Sequence, residues 1–296
     1  YCCKSALCSR ERDFERWRKP RLIANIKDGK DLIVRRGWRE ARPMSAGLIE
    51  NMVRERLDSA LVVRGLVRSR SHGRDLIRRG FVVVDGAIER RASRSVNGDH
   101  VITLTEDAPN YVSRGAEKLL AGLDHFGFDC AGLSVIDIGA STGGFTQVLL
   151  EKGAREVFAI DVGRGQLEAR FLMDPRVHNL EGVDARRLGD EHVGKLVDAL
   201  VCDLSFISVR KALTGPLLRV RRGGWAIVLA KPQFEAGPGV VDDAGVIRDE
   251  ALREELAHEV AEWLATQAGW RVVGITPSPI AGGSGNAEYL IGARRD

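Results

Sequence analysis

Leu133-Ser-Val-Ile-Asp-Ile138, then Gly139-Ala-Ser-Thr-Gly-Gly144, then Phe145-Thr-Gln-Val-Leu-Leu-Glu-Lys152 read in turn as a buried strand, a tight loop and a helix. A mostly apolar run suits a strand covered on both faces, and the apolar spacing after Gly144 suits a helix. Gly139 and Gly143 let the backbone approach a ligand closely, and the amides that open the helix can meet polar or anionic groups. The unit predicts a Rossmann-type α/β sheet with a site for a nucleotide-like ligand. On this pattern alone, a dehydrogenase or a structural turn without a ligand accounts for the loop as well.

Three features narrow the ligand. The loop is not Gly-x-Gly-x-x-Gly and has no Gly-Lys-Ser/Thr, so dinucleotide and phosphate-loop binding both lose support. Val157-Phe-Ala-Ile160 makes a second strand ending in Asp161, 24 residues after Asp137, where a carboxylate can bond both hydroxyls of a ribose. Asp137, just ahead of the loop, favours a cationic ligand. These properties suit S-adenosylmethionine better than NAD or ATP. The candidate contacts are Asp137, Gly139, Ala140, Ser141, Thr142, Gly143, Gly144, Asp161 and Val162. Asp184, after the next strand at Val177 to Leu180, is placed to reach an adenine edge or simply to cap its own loop.

Two later strands run into charged residues: Leu196 to Cys202 into Asp203, and Trp225 to Ala230 into Lys231-Pro232. Ligands of open α/β sheets bind beyond the C-terminal strand ends, so Asp203 and Lys231 should share a crevice with the loop. Lys118, in Ser113-Arg-Gly-Ala-Glu-Lys118, and Glu288, in Gly285-Asn-Ala-Glu-Tyr289 opening a terminal strand, are each unremarkable alone.

Working back towards the N-terminus, Glu106-Asp-Ala-Pro-Asn110 has linker composition, and a small α+β module precedes it. Leu57, Leu61 and Val62 recur at helical spacing up to Gly65. Ser69 or Ser71 can cap a second helix carrying Leu76 and Ile77 and stopping at Gly80. Phe81-Val-Val-Val84, Asp85-Gly86 and Ala87-Ile88 read as a hairpin with a type I′ turn, and Val101-Ile-Thr-Leu104 as a further strand.

These segments carry two resemblances. Residues 54–106 resemble an S4 RNA-binding domain through Arg56-Leu-Asp58, Ser69-Arg70, Leu76-Ile77, Gly80, Val82, Val84 and Asp85-Gly86, with Gly73 where that family usually has alanine. The resemblance implies RNA contacts at Arg56, Ser69, Arg70, Arg74 and Arg78; each arginine read singly is equally a solvated surface residue. Lys118, Asp203, Lys231 and Glu288 resemble the lysine-aspartate-lysine-glutamate tetrad of Rossmann-like 2′-O-ribose RNA methyltransferases. More closely, Val112-Ser-Arg-Gly-Ala-Glu-Lys-Leu119, Asp137 to Thr146, Asp161-Val-Gly163, Gly165-Gln-Leu167, Asp203-Leu-Ser-Phe-Ile-Ser208, Lys231-Pro-Gln-Phe-Glu235, Ser278-Pro-Ile280 and Gly285-Asn286 are similar to the TlyA family, also named hemolysins. Arg164 replaces a usual tyrosine and Asp184 a usual asparagine.

That resemblance implies a class I methyltransferase sheet with helices on both faces behind an S4 domain. It further implies S-adenosylmethionine as methyl donor, cytidine 2′-hydroxyls of ribosomal RNA as substrate, Lys118, Asp203, Lys231 and Glu288 as catalytic residues, and Arg114 among the RNA contacts. The expected organisation is an extension over 1–53, the S4 domain over 54–106, a linker over 107–112 and the methyltransferase domain over 113–296. Residues 1–53 lack periodicity and read as a disordered arm, or as sequence upstream of a start at Met44 or Met52.

Charge agrees with this division. The 296 residues carry a net charge of only +4, yet 1–53 and 54–96 each sum to +6 and the remainder to −8. A basic portion beside a mildly acidic body suits a polyanion grip attached to a catalytic domain. The five cysteines include Cys2, Cys3 and Cys8 near one another without a histidine that would complete a zinc spacing, so free thiols and no metal are expected. No apolar window is long enough to span a bilayer and no secretory leader is evident, which predicts a soluble cytoplasmic protein. A membrane-active hemolysin and a noncatalytic RNA-binding protein with a degenerate Rossmann domain remain the competing readings; the four intact tetrad positions count against the second.

Overall fold

The computed structural model describes residues 54–296 apart from Pro238, Gly283 and Ser284. The extension over 1–53, with Cys2, Cys3 and Cys8, lies outside the described residues. The chain divides into two compact units between Ala108 and Pro109.

In the first unit, β1 (Glu55–Arg56) leads into α1 (Leu57–Val63), followed by α2 (Arg70–Arg79), β2 (Val82–Val84), β3 (Ala87–Ile88), β4 (Ser95–Val96) and β5 (Ile102–Leu104). Strands β3, β2 and β5 form an antiparallel sheet, and β1 pairs antiparallel with β4. Leu57, Leu61, Leu76, Ile77, Val82, Val84 and Val96 make the core. Of the two candidate caps for α2, Ser69 serves: its hydroxyl accepts the His72 amide at 3.2 Å. The β2–β3 turn has positive φ at both Asp85 (53°) and Gly86 (81°), as a type I′ turn requires. The β1–β4 pair escapes a reading by periodicity because two-residue strands have no period to detect.

The second unit contains α3 (Gly115–Phe126), β6 (Ser134–Ile138), α4 (Gly144–Glu151), β7 (Glu156–Asp161), α5 (Ala169–Leu172), β8 (Val177–Glu181), β9 (Val197–Cys202), α6 (Val209–Ala212), α7 (Thr214–Leu217), β10 (Val220–Ala230), α8 (Pro232–Glu235), α9 (Glu250–Ala265), β11 (Trp270–Pro277) and β12 (Tyr289–Arg295). Its seven-stranded sheet has the order β8-β7-β6-β9-β10-β12-β11; the first five are parallel, and β12 runs antiparallel between β10 and β11. Alternate side chains fill two cores. Ile136, Leu200 and Val228 meet α6, α7 and α9 on one face, while Val135, Val201 and Ile227 meet α3 and α4 on the other. The expected sheet with helices on both faces is therefore present. Part of the stretch expected to be linker is fastened to this unit: the Gln147 side chain accepts the Val112 amide at 2.9 Å and donates to the Asn110 carbonyl at 3.2 Å.

The order of the sheet sets the site. The chain leaves β6 towards β7 and β8, then returns to the other side of β6 as β9, so the connection after β6 and the connection after β9 lead to opposite sides and leave a crevice beyond the paired strand ends. The chain at Gly139 turns there with φ +83°, and a Cβ at that position would lie 2.6 Å from the Asp203 carbonyl oxygen. Gly139→Ala is therefore expected to cost about 2–3 kcal/mol in urea unfolding, against about 1 kcal/mol for Gly127→Ala. Gly127 shares the left-handed conformation, but an added Cβ there meets nothing within 4 Å. Equal costs at the two positions would show that the contact with Asp203 is not limiting.

Candidate active site

Two adjoining cavities open at this crevice. The larger, about 560 Å³, is walled by Ile138, Gly139, Ser141, Asp161, Val162, Asp184 and Leu204 among others. The smaller, about 260 Å³, is walled by Arg114, Lys118, Ala140, Gly144, Asp203 and Lys231 among others. Gly139, Ser141, Asp203 and Ser205 border both. Thr142 and Gly143 border neither; they carry the turn, and a Cβ on Gly143 would meet the Phe171 ring at 2.6 Å.

Asp161 is held by backbone amides, Ser141 donating to one carboxylate oxygen at 2.8 Å and Gly163 to the other at 2.7 Å. Each oxygen keeps a lone pair for a ligand hydroxyl. Asp184 lies on the same wall, but its carboxylate is engaged by Arg186, through Nη2 at 2.5 Å and Nε at 3.0 Å, and by the Arg186 amide at 3.0 Å. The loop-capping alternative is thus what Asp184 does here, and the Arg186 guanidinium holds its carboxyl below the usual range. Arg164 packs its guanidinium over Gly182, where a Cβ would come within 2.5 Å of it.

Asp137 sits behind the loop and borders neither cavity. Fully buried, it accepts a hydrogen bond from the Thr146 hydroxyl at 2.6 Å, tying β6 to α4, while its other oxygen has no partner among the described residues. Burial pushes its carboxyl up to about 7; Asp203 and Asp161 add to the rise and the Thr146 bond opposes it.

The tetrad residues form two ion pairs. Lys118 Nζ lies 2.5 Å from Glu288 Oε2, with both side chains buried. Lys231 Nζ lies 2.6 Å from Asp203 Oδ1 and donates to the Ser205 hydroxyl at 2.8 Å. Strand register brings them together. Asp203 and Lys231 follow the ends of the parallel neighbours β9 and β10, and Tyr289 pairs with Ala230, which puts Glu288 at that same end of the sheet. Pairing is what makes such burial tolerable, since an isolated buried charge is very costly.

Two residues given no role from the sequence complete the site. Glu235, buried in α8, accepts from the Ser208 hydroxyl at 2.6 Å, the Val209 amide at 2.7 Å and Arg210 Nε at 3.1 Å. It thereby clasps the segment after β9 to the segment after β10. Phe206 is 90% exposed at the mouth of the larger cavity, with φ +67° and its ring centroid 5.3 Å from that of Phe234. A bulky residue in that backbone region marks local strain, which clusters at functional positions.

The RNA candidates separate between the units. Arg56, Arg70 and Arg74 converge on Asp58, Arg78 is exposed on α2, and the Ser69 hydroxyl is used in capping. Arg114 belongs to the second unit, exposed at the start of α3. Cys130 and Cys202 are buried free thiols. Among the described residues no helix is long and apolar enough to cross a membrane.

A seven-stranded sheet with its glycine loop at the switch point and two lysine–carboxylate pairs beside it defines a methyltransferase. The model of the FtsJ-like methyltransferase family matches residues 111–295, and that of the S4 domain matches residues 55–102. Within that class the chain belongs to the TlyA family. It is 43% identical, over 81% of its length and 90% of the relative's, to the 16S/23S rRNA (cytidine-2′-O)-methyltransferase TlyA of Mycobacterium tuberculosis. It is 36% identical to Hemolysin A of Brachyspira hyodysenteriae over 79% of this chain and 98% of that one. A solved structure from Streptococcus thermophilus, named as a candidate hemolysin, superposes with a TM-score of 0.65 at 33% identity, covering 82% of this chain and 89% of that one. The family fold implies S-adenosylmethionine as cosubstrate.

The burial of Asp137 makes stability depend on pH. Its folded pKa of about 7 exceeds the ordinary 3.8, so the folded chain holds the proton more tightly, and this group's contribution falls away as pH rises through that interval. Asp137→Asn removes the titration. The stability difference between variant and wild type should move in the variant's favour by a few kcal/mol between about pH 4 and about pH 8. Urea unfolding at both pH values measures it, and a constant difference would contradict the assignment.

Proposed function

We propose that this chain is an S-adenosylmethionine-dependent 2′-O-ribose methyltransferase acting on cytidine in ribosomal RNA. The observation that carries the reading is the pair of lysine–carboxylate contacts, Lys231–Asp203 and Lys118–Glu288, facing a small cavity that adjoins a larger one. The larger cavity suits an adenosine, with Asp161 for the ribose hydroxyls and Ile138, Val183 and Leu204 for the flat base. The junction at Gly139 and Ser141, on a cavity that Asp203 and Lys231 also line, suits the remainder of the donor.

When bound, S-adenosylmethionine supplies a methyl group activated by its sulfonium. Lys231 in its neutral form takes the proton from the ribose 2′-hydroxyl as the oxygen attacks in line. Ser205 accepts one of its hydrogens and Asp203 lies beside it as an ion-pair partner, which together hold the amine at the edge of the small cavity. Lys118, fixed by Glu288, stabilises the negative charge that develops on the oxygen. Glu235 preserves the spacing of the two segments that carry Asp203 and Lys231, and geometry of this kind accounts for much of the rate. Phe206 offers an exposed aromatic face on which an unpaired base can stack.

Lys231→Ala should lower methyl transfer from labelled donor to ribosomal RNA by about 100-fold or more while cofactor affinity, measured by calorimetry, changes by less than about threefold. Transfer at the wild-type rate would refute the role of Lys231. Label found on a base instead of a ribose after nuclease digestion would refute the reaction itself.

A further inference from the structure

We propose that Gln166 reads the ribose of the methyl donor, and that Glu181 is the positioning residue that holds Gln166 at the lip of the larger cavity. The proposal rests on the S-adenosylmethionine reading of that cavity and deepens it by naming groups that recognise one part of the donor.

Gln166 is exposed in the loop between β7 and α5 and borders the larger cavity together with Asp161 and Gly163. Glu181, the last residue of β8, fixes its backbone: Oε1 accepts the Gln166 amide at 2.7 Å and the Leu167 amide at 3.1 Å. The amides of Gly165, Gln166 and Leu167 hold the Glu181 carboxyl down to about 2, so the anion that gathers them persists at neutral pH. Leu167 is buried, and a Cβ on Gly143 would lie 2.9 Å from its Cδ1. The segment carrying Gln166 is thus pinned to β8 through its amides and to the glycine loop through Leu167.

With the backbone held, the side chain is directed too. The Ser141 hydroxyl donates to Gln166 Oε1 at 3.2 Å, while a Cβ on Gly163 would collide with Gln166 Nε2 and lie 3.1 Å from Asp161 Oδ1. The amide group therefore fills the space left by the missing side chain of Gly163, beside the Asp161 carboxylate. Its carbonyl is engaged, and Nε2 makes no hydrogen bond to another described residue. Ser141, at φ 48°, is kept in a left-handed conformation by this bond and by its amide bond to Asp161, and such strain clusters at ligand sites. An ionised Asp161 can only accept, so a ribose hydroxyl that gives it a proton still needs a donor for its own oxygen once water has left. The Ser141 and Gly163 amides are already spent on Asp161. Gln166 Nε2 supplies the missing donor, and the hydroxyl is then recognised in both of its roles.

Calorimetry on the full chain with S-adenosylhomocysteine and with its 2′-deoxy and 3′-deoxy forms tests this. Gln166→Ala should weaken binding of the parent ligand by about fivefold, whereas one of the two deoxy forms should bind variant and wild type within about twofold. Unchanged affinity for the parent, or an equal loss for all three ligands, would overturn the proposal; the second result would make Gln166 a purely structural strut. Gln166→Glu keeps the shape but sets an acceptor beside Asp161, so the parent should bind about tenfold more weakly or worse, and retained affinity would equally overturn it. For Glu181, the alanine variant should show the same ligand-selective loss with Gln166 intact, and Glu181→Gln, which keeps an acceptor oxygen, should recover the parent affinity to within about twofold of wild type. Wild-type affinities in Glu181→Ala would overturn the positioning role. Wild-type protein that binds none of the three ligands would sink the donor reading itself and not merely the part played by Gln166.

Discussion

The approach of the backbone at Gly139 to the backbone at Asp203 is the constraint from which the rest of the catalytic unit follows. The Asp203 amide donates to the Ile138 carbonyl at 2.9 Å, and only hydrogen fits where Gly139 faces the Asp203 carbonyl. This contact closes β6 against β9 where the strand order reverses. It lets one loop border both cavities and places Asp203 at the boundary between them. A wider separation would split the donor site from the lysine–carboxylate pairs, and the reacting groups would lose the proximity on which the proposed transfer depends.

Buried charge is handled in three ways within a short distance. Lys118 and Glu288 pair with each other in a buried contact, which fixes the position of the lysine. Lys231 has both a carboxylate and a hydroxyl as neighbours and remains at the edge of open space. Asp137 has only a threonine hydroxyl and responds by holding its proton more tightly.

The N-terminal unit uses a buried carboxylate in yet another way. Asp58 has no exposed surface, like Asp137, and burial pushes its carboxyl up, but the Arg56 and Arg70 guanidinium groups outweigh this and keep it below the ordinary carboxylate range. Glu89 in the same unit also lies low, at about 2, held chiefly by Arg91 with further bonds from its backbone amide and from Arg94. Arginine-rich segments of this unit are thus organised around a few acidic residues, and the positive net charge is distributed in fixed clusters.

Local pattern was enough to read much of this molecule. The strand, loop and helix around Asp137 to Gly144, the Ser69 cap, the Asp85-Gly86 turn and the tetrad could be named because each depends on residues near in sequence or on a long shared motif. The short β1–β4 pair carries no period, and Glu235 and Phe206 stand in the sequence as parts of motifs without a role of their own. Asp137 and Asp184 were correctly placed in the chain, but their partners, Thr146 and Arg186, determine what their carboxylates can touch. The sequence by itself determined which elements form and which charged residues terminate them, because periodicity and turn chemistry act over a few residues. Only the tertiary structure decided which charge meets which, since Lys118 and Glu288 stand 170 residues apart and are brought into contact by the pairing of strands across the sheet.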